Sequence, residues 1–161
     1  GANLAYANLQ NADLGCANLL NADLESVNLT GANIEGTNLE NANLSDAGLH
    51  GADLSNASLQ STDLLGANLS GANLSYANLE GASLVVTNFE NADLSCANLK
   101  DTKIYGINLK NANLESANFE PTMEHLGDKT ILPDGTQWTP ATDMSRFTDS
   151  EHPNFWSPSE E

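Results

Sequence analysis

The stretch GANLSGANLSYANLEGASL, residues 66–84, returns to leucine at every fifth position, at Leu69, Leu74, Leu79 and Leu84. A period of five suits neither an α-helix, with a side-chain period of 3.6, nor a β-strand, with a period of 2. Followed outward in both directions, the phase holds from Leu4 to Phe119 without a slip. It makes 24 consecutive pentapeptides in which Ile34, Phe89, Ile104 and Phe119 are the only replacements of Leu. Two residues before each of these stands a second, smaller column. It is Ala in 18 of the 24 repeats, the others being Val27, Thr37, Thr62, Thr87, Thr102 and Ile107. Between the two columns lies Asn or Asp in 20 of the 24 repeats. The triplet therefore reads inward, outward, inward, which is strand alternation. It lasts only three residues, and the next two positions are mostly Ser, Gly, Asn, Glu or Gln, which favour turns and tolerate positive φ.

A bend of constant sense repeated every five residues winds the chain into a coil, with the large column inside and the small one filling the remaining space. Coils stacked at the strand separation of about 4.8 Å can pair their backbones along the axis, so each repeat buries its apolar pair only against its neighbours. Such a ladder has no place for proline. All five prolines, Pro121, Pro133, Pro140, Pro153 and Pro158, fall after the repeats end. Abundant Asn, Ser and Gly would also suit a disordered low-complexity segment, but disorder does not require one phase for an apolar residue throughout 24 repeats. Burying a Leu is worth roughly 1.5–3 kcal/mol against a backbone ordering cost of about 1–2 kcal/mol per residue, so only many cooperating coils give a favourable balance.

The pattern Ala-(Asp/Asn)-Leu-x-x, as in Ala12-Asp13-Leu14 and Ala72-Asn73-Leu74, resembles that of the pentapeptide-repeat family. The resemblance covers residues 1–120. It implies an all-β solenoid, a right-handed quadrilateral β-helix with four pentapeptides per coil and therefore about six coils. The Asp residues at the middle position give an independent hint that four pentapeptides close one coil. With that period, Asp13, Asn33, Asp53, Asn73, Asp93 and Asn113 stack in alternation on one side. Asn3, Asp23, Asn43, Asp63, Ser83 and Lys103 stack on the opposite side, and no Asp sits directly on another. Carboxylates about 4.8 Å apart repel, whereas an Asn amide can donate to an adjacent carboxylate. Asn33→Asp and Asn73→Asp are therefore expected to destabilise more than Asn8→Asp.

The chain has 161 residues, enough for one continuous core with a tail. Its 22 acidic and 5 basic residues give a net charge of −17, which opposes direct binding to nucleic acid or to anionic membranes. No apolar run approaches the roughly 20 residues that cross a bilayer, so membrane insertion is not expected. The first residues, Gly1-Ala2-Asn3-Leu4, are already in phase. The expectation is that a leader or N-terminal cap precedes Gly1, or that molecules self-associate through an uncapped first coil. Cys16 and Cys96 fall on one side, sixteen repeats and so four coils apart. That is about 19 Å, beyond the roughly 7 Å that a disulfide spans between Cα atoms. Two unpaired thiols favour a reducing compartment such as the cytoplasm, while a removed leader would suit the thylakoid lumen or periplasm.

From Pro121 the composition changes, and both Trp, both Met and all the prolines gather between there and the end of the chain. Residues 121–161 read as a short α-helical C-terminal cap covering the open end of the solenoid. One helical turn is expected over Pro121–Leu126, a tight Pro133-Asp134-Gly135 turn follows, and a second short helix is expected over Ala141–Phe147, started by Thr139 and Pro140. Met123, Leu126, Ile131, Leu132, Trp138, Met144 and Phe147 would face the last coil, and Trp138 and Trp156 are candidates for cap packing or for a partner site. The resemblance of "TILPDGTQW" and "HPNFW" is to the tails of cyanobacterial pentapeptide-repeat proteins.

No catalytic, cofactor or metal site is expected, because His50, His125 and His152 have no nucleophile motif, glycine-rich phosphate loop or clustered ligands around them. The reading is a non-enzymatic structural or interaction module whose partner is another protein. Its alternative is a DNA mimic that binds a type II topoisomerase such as gyrase, as the family resemblance implies for some members. Residues 1–99 contain 11 acids and no Lys or Arg, which suits a mimic. The spread of acids over several sides, with Asp13, Glu35, Asp53, Asp93 and Glu115 on one and Glu40, Glu80 and Glu120 on another, does not.

Overall fold

The computed structural model describes residues 1–119, 130–139 and 141–158. The repeats coil with the expected period: a continuous series of parallel bridges joins the middle residue of each pentapeptide to its counterpart four repeats on, from Asn3↔Asp23 to Asn98↔Asn118. Four pentapeptides therefore close one coil, and each side of the solenoid is a column of repeats.

The backbone amides of one pentapeptide explain why the unit has this sequence. Leu4 N donates to Asp23 O at 2.7 Å and Tyr6 N to Glu25 O at 2.8 Å, both in the next coil, and Asp23 N donates back to Ala2 O at 2.9 Å. Ala7 N closes the turn on Leu4 O at 3.0 Å. The remaining amide, that of Ala5, finds no carbonyl and is taken by the side-chain Oδ1 of Asn3 at 3.1 Å. The same bond recurs along the tower, for example from Glu35 N to Asn33 Oδ1 at 3.1 Å and from Ser95 N to Asp93 Oδ1 at 2.9 Å. An Asn or Asp in the middle position thus supplies the acceptor that completes backbone pairing.

Every turn has positive φ at its third residue, from Tyr6 at 62° to Ser116 at 58°. That is the requirement of a type II turn, and it accounts for the Gly, Asn, Ser and Asp found there. Gly66, at φ 69°, has a second reason: a Cβ there would collide with Asp46 Oδ1.

The large column from Leu24 to Leu94 is wholly excluded from solvent, with the Ala column beside it. Leu4, Leu9, Leu14 and Leu19 of the first coil are partly buried. Thr replaces Ala without leaving a buried hydroxyl unpaired: Thr37, Thr62 and Thr87 donate to the carbonyls of Leu14, Leu39 and Leu64 at 2.8–2.9 Å.

After the repeats, the chain lies on the last coil. Ile131 continues the ladder above Asn108, with Leu109 N donating to Ile131 O at 2.8 Å and Ile131 N donating to Ile107 O at 2.9 Å. Pro133-Asp134-Gly135 forms the expected tight turn, Gly135 having φ 79°, between residues joined by an antiparallel Ile131↔Gln137 bridge. Leu132 and Phe147 are buried in the solenoid core, and Trp138, Met144 and Trp156 pack against it. The helix expected over Ala141–Phe147 is shorter and later: α1 spans Ser145–Thr148. Asp143 Oδ1 accepts from both Ser145 N and Ser145 Oγ, at 3.1 and 2.6 Å. This local turn competes with helix for the backbone and delays its start. The other expected helix, Pro121–Leu126, together with Met123, Leu126 and the Pro140 start, lies outside the described residues.

Candidate interaction surface

Four faces follow from the coil of four pentapeptides. The first carries the repeats centred on Leu4, Leu24, Leu44, Leu64, Leu84 and Ile104, and the second, third and fourth begin with Leu9, Leu14 and Leu19.

The third face holds the alternating Asp and Asn column. Each Asn donates its Nδ2 to the Asp one coil before it: Asn33 to Asp13 at 2.9 Å, Asn73 to Asp53 at 3.1 Å and Asn113 to Asp93 at 3.1 Å. On the first face, Asn3 and Asn43 both donate to Asp23 at 3.4 Å. The second and fourth faces carry Asn ladders instead, such as Asn108 to Asn88 and Asn98 to Asn78, both at 3.1 Å. These bonds tie the polar columns together from coil to coil.

The first face differs. The carbonyls of Leu65, Val85 and Tyr105 accept from the amides of Asp46, Gly66 and Val86 at 2.7–2.9 Å, which sets these three residues one above another in successive coils. Their side chains point outward: Leu65 is 43% exposed, Tyr105 48% and the adjoining Val86 57%, with Val85 partly buried. Val86 also has φ 59°. A β-branched residue in the left-handed region is a strained choice where most other turns of this chain use Gly, Asn or Ser and no other uses a β-branched residue, and such strain concentrates at working surfaces. In the second and third coils of the same face stand Asp23, Glu25 and Asp46, Asp63 stands beside Leu65, and Lys103 stands beside Tyr105. No sequence periodicity of five reveals this column, because Leu65, Val85 and Tyr105 are separated by whole coils and each follows an ordinary core residue.

Two further aromatic side chains are exposed singly, Tyr6 in the lowest coil of the first face at 71% and Tyr76 on the third face at 65%. Tyr6 donates its hydroxyl to Glu25 Oε1 at 2.8 Å, and this bond, followed by the charge of Glu25, raises the Tyr6 pKa above its ordinary value. Tyr76, on the third face, is raised by its hydrogen bond to Cys96 one coil above. Cys16 and Cys96 are both free and exposed. His50 Nδ1 lies 2.9 Å from Ser70 Oγ, whose hydroxyl is also bonded to Asn68 Oδ1 at 2.8 Å, on an open surface. His152 Nε2 lies 3.2 Å from Asp143 Oδ2. Hydrogen bonds from Ser145 hold the Asp143 carboxyl below its ordinary pKa. His125 lies outside the described residues. Trp156 sits edge-on to Phe147, with ring centres 6.0 Å apart, and its amide donates to Arg146 O at 2.8 Å, so it belongs to the packing of the tail. Among the described residues no group of three His, Cys, Asp or Glu is placed to hold a metal ion, and no helix is long and apolar enough to cross a membrane.

A coil of four bent strands, stacked in parallel on itself, defines a β-solenoid of four-sided section. The chain belongs to the pentapeptide repeats family, which it matches over residues 2–41, 22–60, 52–91, 72–111 and 92–120. Proteins of this family fold as right-handed quadrilateral β-helices. The chain is similar to the crystal structure of a pentapeptide repeat protein from the thylakoid lumen of Arabidopsis thaliana, with 36% identity, a TM-score of 0.58 and coverage of 59% of this chain and 66% of the other. It is also similar to Rfr23, a pentapeptide repeat protein from the cyanobacterium Cyanothece 51142, at 33% identity and a TM-score of 0.45 over 74% of this chain and 63% of the other. It thus spans somewhat less than two thirds of each relative. QnrB1, a plasmid-mediated fluoroquinolone resistance protein, is 15% identical with a TM-score of 0.49, over 83% of this chain and 79% of its own. No curated protein matches the sequence.

Proposed function

We propose that this chain is a non-enzymatic protein-interaction module. Its repeat domain, residues 1–120, is a rigid tower of about six coils, and residues 121–161 are its cap. The observation that carries this reading is the column of Leu65, the partly buried Val85 and Tyr105 with Val86 beside it, which gathers apolar side chains on one face, whereas the exposed Tyr6, Leu20 and Tyr76 each stand alone in another coil or on another face. Clustered apolar side chains left in contact with water are the usual mark of a contact surface. Site-specific photocross-linking in an extract of the source cells tests it, with the cross-linker placed at Val85 and, as a control, at Ser75 on the third face. A discrete protein adduct from position 85 and none from position 75 is the expected result. Adducts of equal yield from both positions overturn it.

The acid-only composition of residues 1–99 supports a second reading, the topoisomerase-binding DNA mimic. Acids on all four faces weigh against it, since Glu90 stands on the second, Asp53 on the third and Glu80 on the fourth. A gyrase supercoiling assay with excess protein separates the two. Inhibition that fades as salt rises supports the mimic, and no inhibition at low salt removes it.

A further inference from the structure

We infer that the first face takes a basic amphipathic α-helix of a partner protein, lying along the tower axis with its apolar end over Leu65, Val85, Val86 and Tyr105 and its Lys or Arg end over Asp63, Asp46, Glu25 and Asp23. This rests on the reading above that the face binds protein, and adds what kind of segment it binds.

Three features of the face select that occupant. The first is its division: the three upper coils carry the apolar column, with Asp63 beside Leu65 at its lower end, while the two coils below carry Asp23, Glu25 and Asp46 on the same face and its edge, and the lowest coil exposes Tyr6. No Lys or Arg occurs before Lys100 to neutralise them. The second is the net charge of −17, which repels nucleic acid, anionic lipid and a second copy of this chain, and draws in a cationic segment. The third is size. A side built of about three extended residues is about 10 Å wide, the diameter of a helix with its side chains. From Asp23 to Tyr105 the face climbs four coils, about 19 Å at the strand spacing, which a helix of about 13 residues spans.

The experiment uses the full chain and a fluorescent helical peptide of about 14 residues, with leucines at i, i+3 and i+4 in its first half and lysines in its second. Fluorescence anisotropy follows binding at about 50 and about 300 mM NaCl, on either side of physiological screening. Saturable binding that weakens at the higher salt is expected, with a scrambled peptide and a glutamate-bearing peptide binding at least about tenfold more weakly. Val85→Ser with Tyr105→Ser should weaken binding at least about tenfold. Val86→Asn, which relieves backbone strain and so leaves the fold intact, should also weaken it. Asp13→Asn with Asp93→Asn, on the third face, should leave it unchanged.

Equal affinity for the scrambled peptide, or indifference to Val85→Ser with Tyr105→Ser, overturns the inference, the acidic surface then acting without selectivity. A concentration-dependent dimer in sedimentation that Val85→Ser abolishes also overturns it, by assigning the face to a second copy. A peptide that fails to bind, together with a protein adduct from position 85, removes the helix and leaves the protein-binding reading standing.

Discussion

Asn73→Asp places a third carboxylate between Asp53 and Asp93 and removes the Asn73 Nδ2 bond to Asp53 Oδ1 at 3.1 Å. A hydrogen bond to a charged group is worth about 1.5–3 kcal/mol. Each new carboxylate pair, about 4.8 Å apart, adds about 0.9 kcal/mol at the dielectric of water and more where water is excluded. These side chains are half-buried, so the aqueous limit is the nearer one and the total is about 3–5 kcal/mol. For a chain of this size, a fall in Tm on the order of 10 °C follows, at about 2–4 °C per kcal/mol. The right comparator is Asn68→Asp. Oδ1 of Asn68 accepts from Ser70 N at 3.1 Å and from Asn88 Nδ2 at 3.4 Å, roles that a carboxylate keeps, and its stacked neighbours Gly48 and Asn88 carry no charge. Its cost should stay within about 0.5 kcal/mol. Thermal melts followed by circular dichroism compare the two, and about 1 M NaCl, where the Debye length is about 3 Å, should recover part of the Asn73→Asp deficit. Equal shifts in the two variants, or no effect of salt on the difference, would refute the reasoning.

Leu64→Ala empties a fully buried position in mid-tower and should cost about 2–5 kcal/mol in chemical denaturation. Thr62→Val removes the donor to Leu39 O at 2.8 Å, for an expected loss of about 1 kcal/mol in the same assay. Val86→Asn should raise Tm by a few degrees, since Asn tolerates the φ of 59° that strains Val. The Asp143 carboxyl is held below its ordinary pKa by Ser145. Its contribution is therefore present at pH above the unfolded value of about 4 and is lost as pH falls through the lower folded value. Asp143→Asn keeps the acceptor without the titration. Tryptophan fluorescence, reporting only on the tail that contains both Trp138 and Trp156, should show a smaller acid-side change in that variant than in the parent.

The coil was legible because two independent patterns agree. The period of five in Leu and Ala fixes what points inward, and the spacing of Asp13, Asp53 and Asp93 fixes which repeats stack. Why Asn or Asp occupies the middle position was only half legible. The ladder between coils follows from charge, but the acceptor role for the amide two residues on, as from Asn3 to Ala5, emerges only when every donor in the pentapeptide is followed to its partner. The start of α1 at Ser145 was hidden by competition: Thr139-Pro140 is a good helix opening, yet the Asp143 side chain captures Ser145 first. The apolar column required the period of a whole coil to be applied to outward residues as well as to Asp. Leu65, Val85 and Tyr105 look unrelated in the chain and become neighbours only when coils are stacked.

All four faces depend on that stacking, and the two cysteines report on it directly. Cys16 and Cys96 are both exposed and occupy equivalent corners of the third face, four coils apart. With a nitroxide on each, pulsed electron–electron double resonance on the unmodified sequence should give a single narrow distance distribution. It should be centred on about 19 Å, broadened by the label tethers. A broad distribution, or a centre beyond about 35 Å, would contradict the coil of four pentapeptides, and with it the column of Leu65, Val85 and Tyr105.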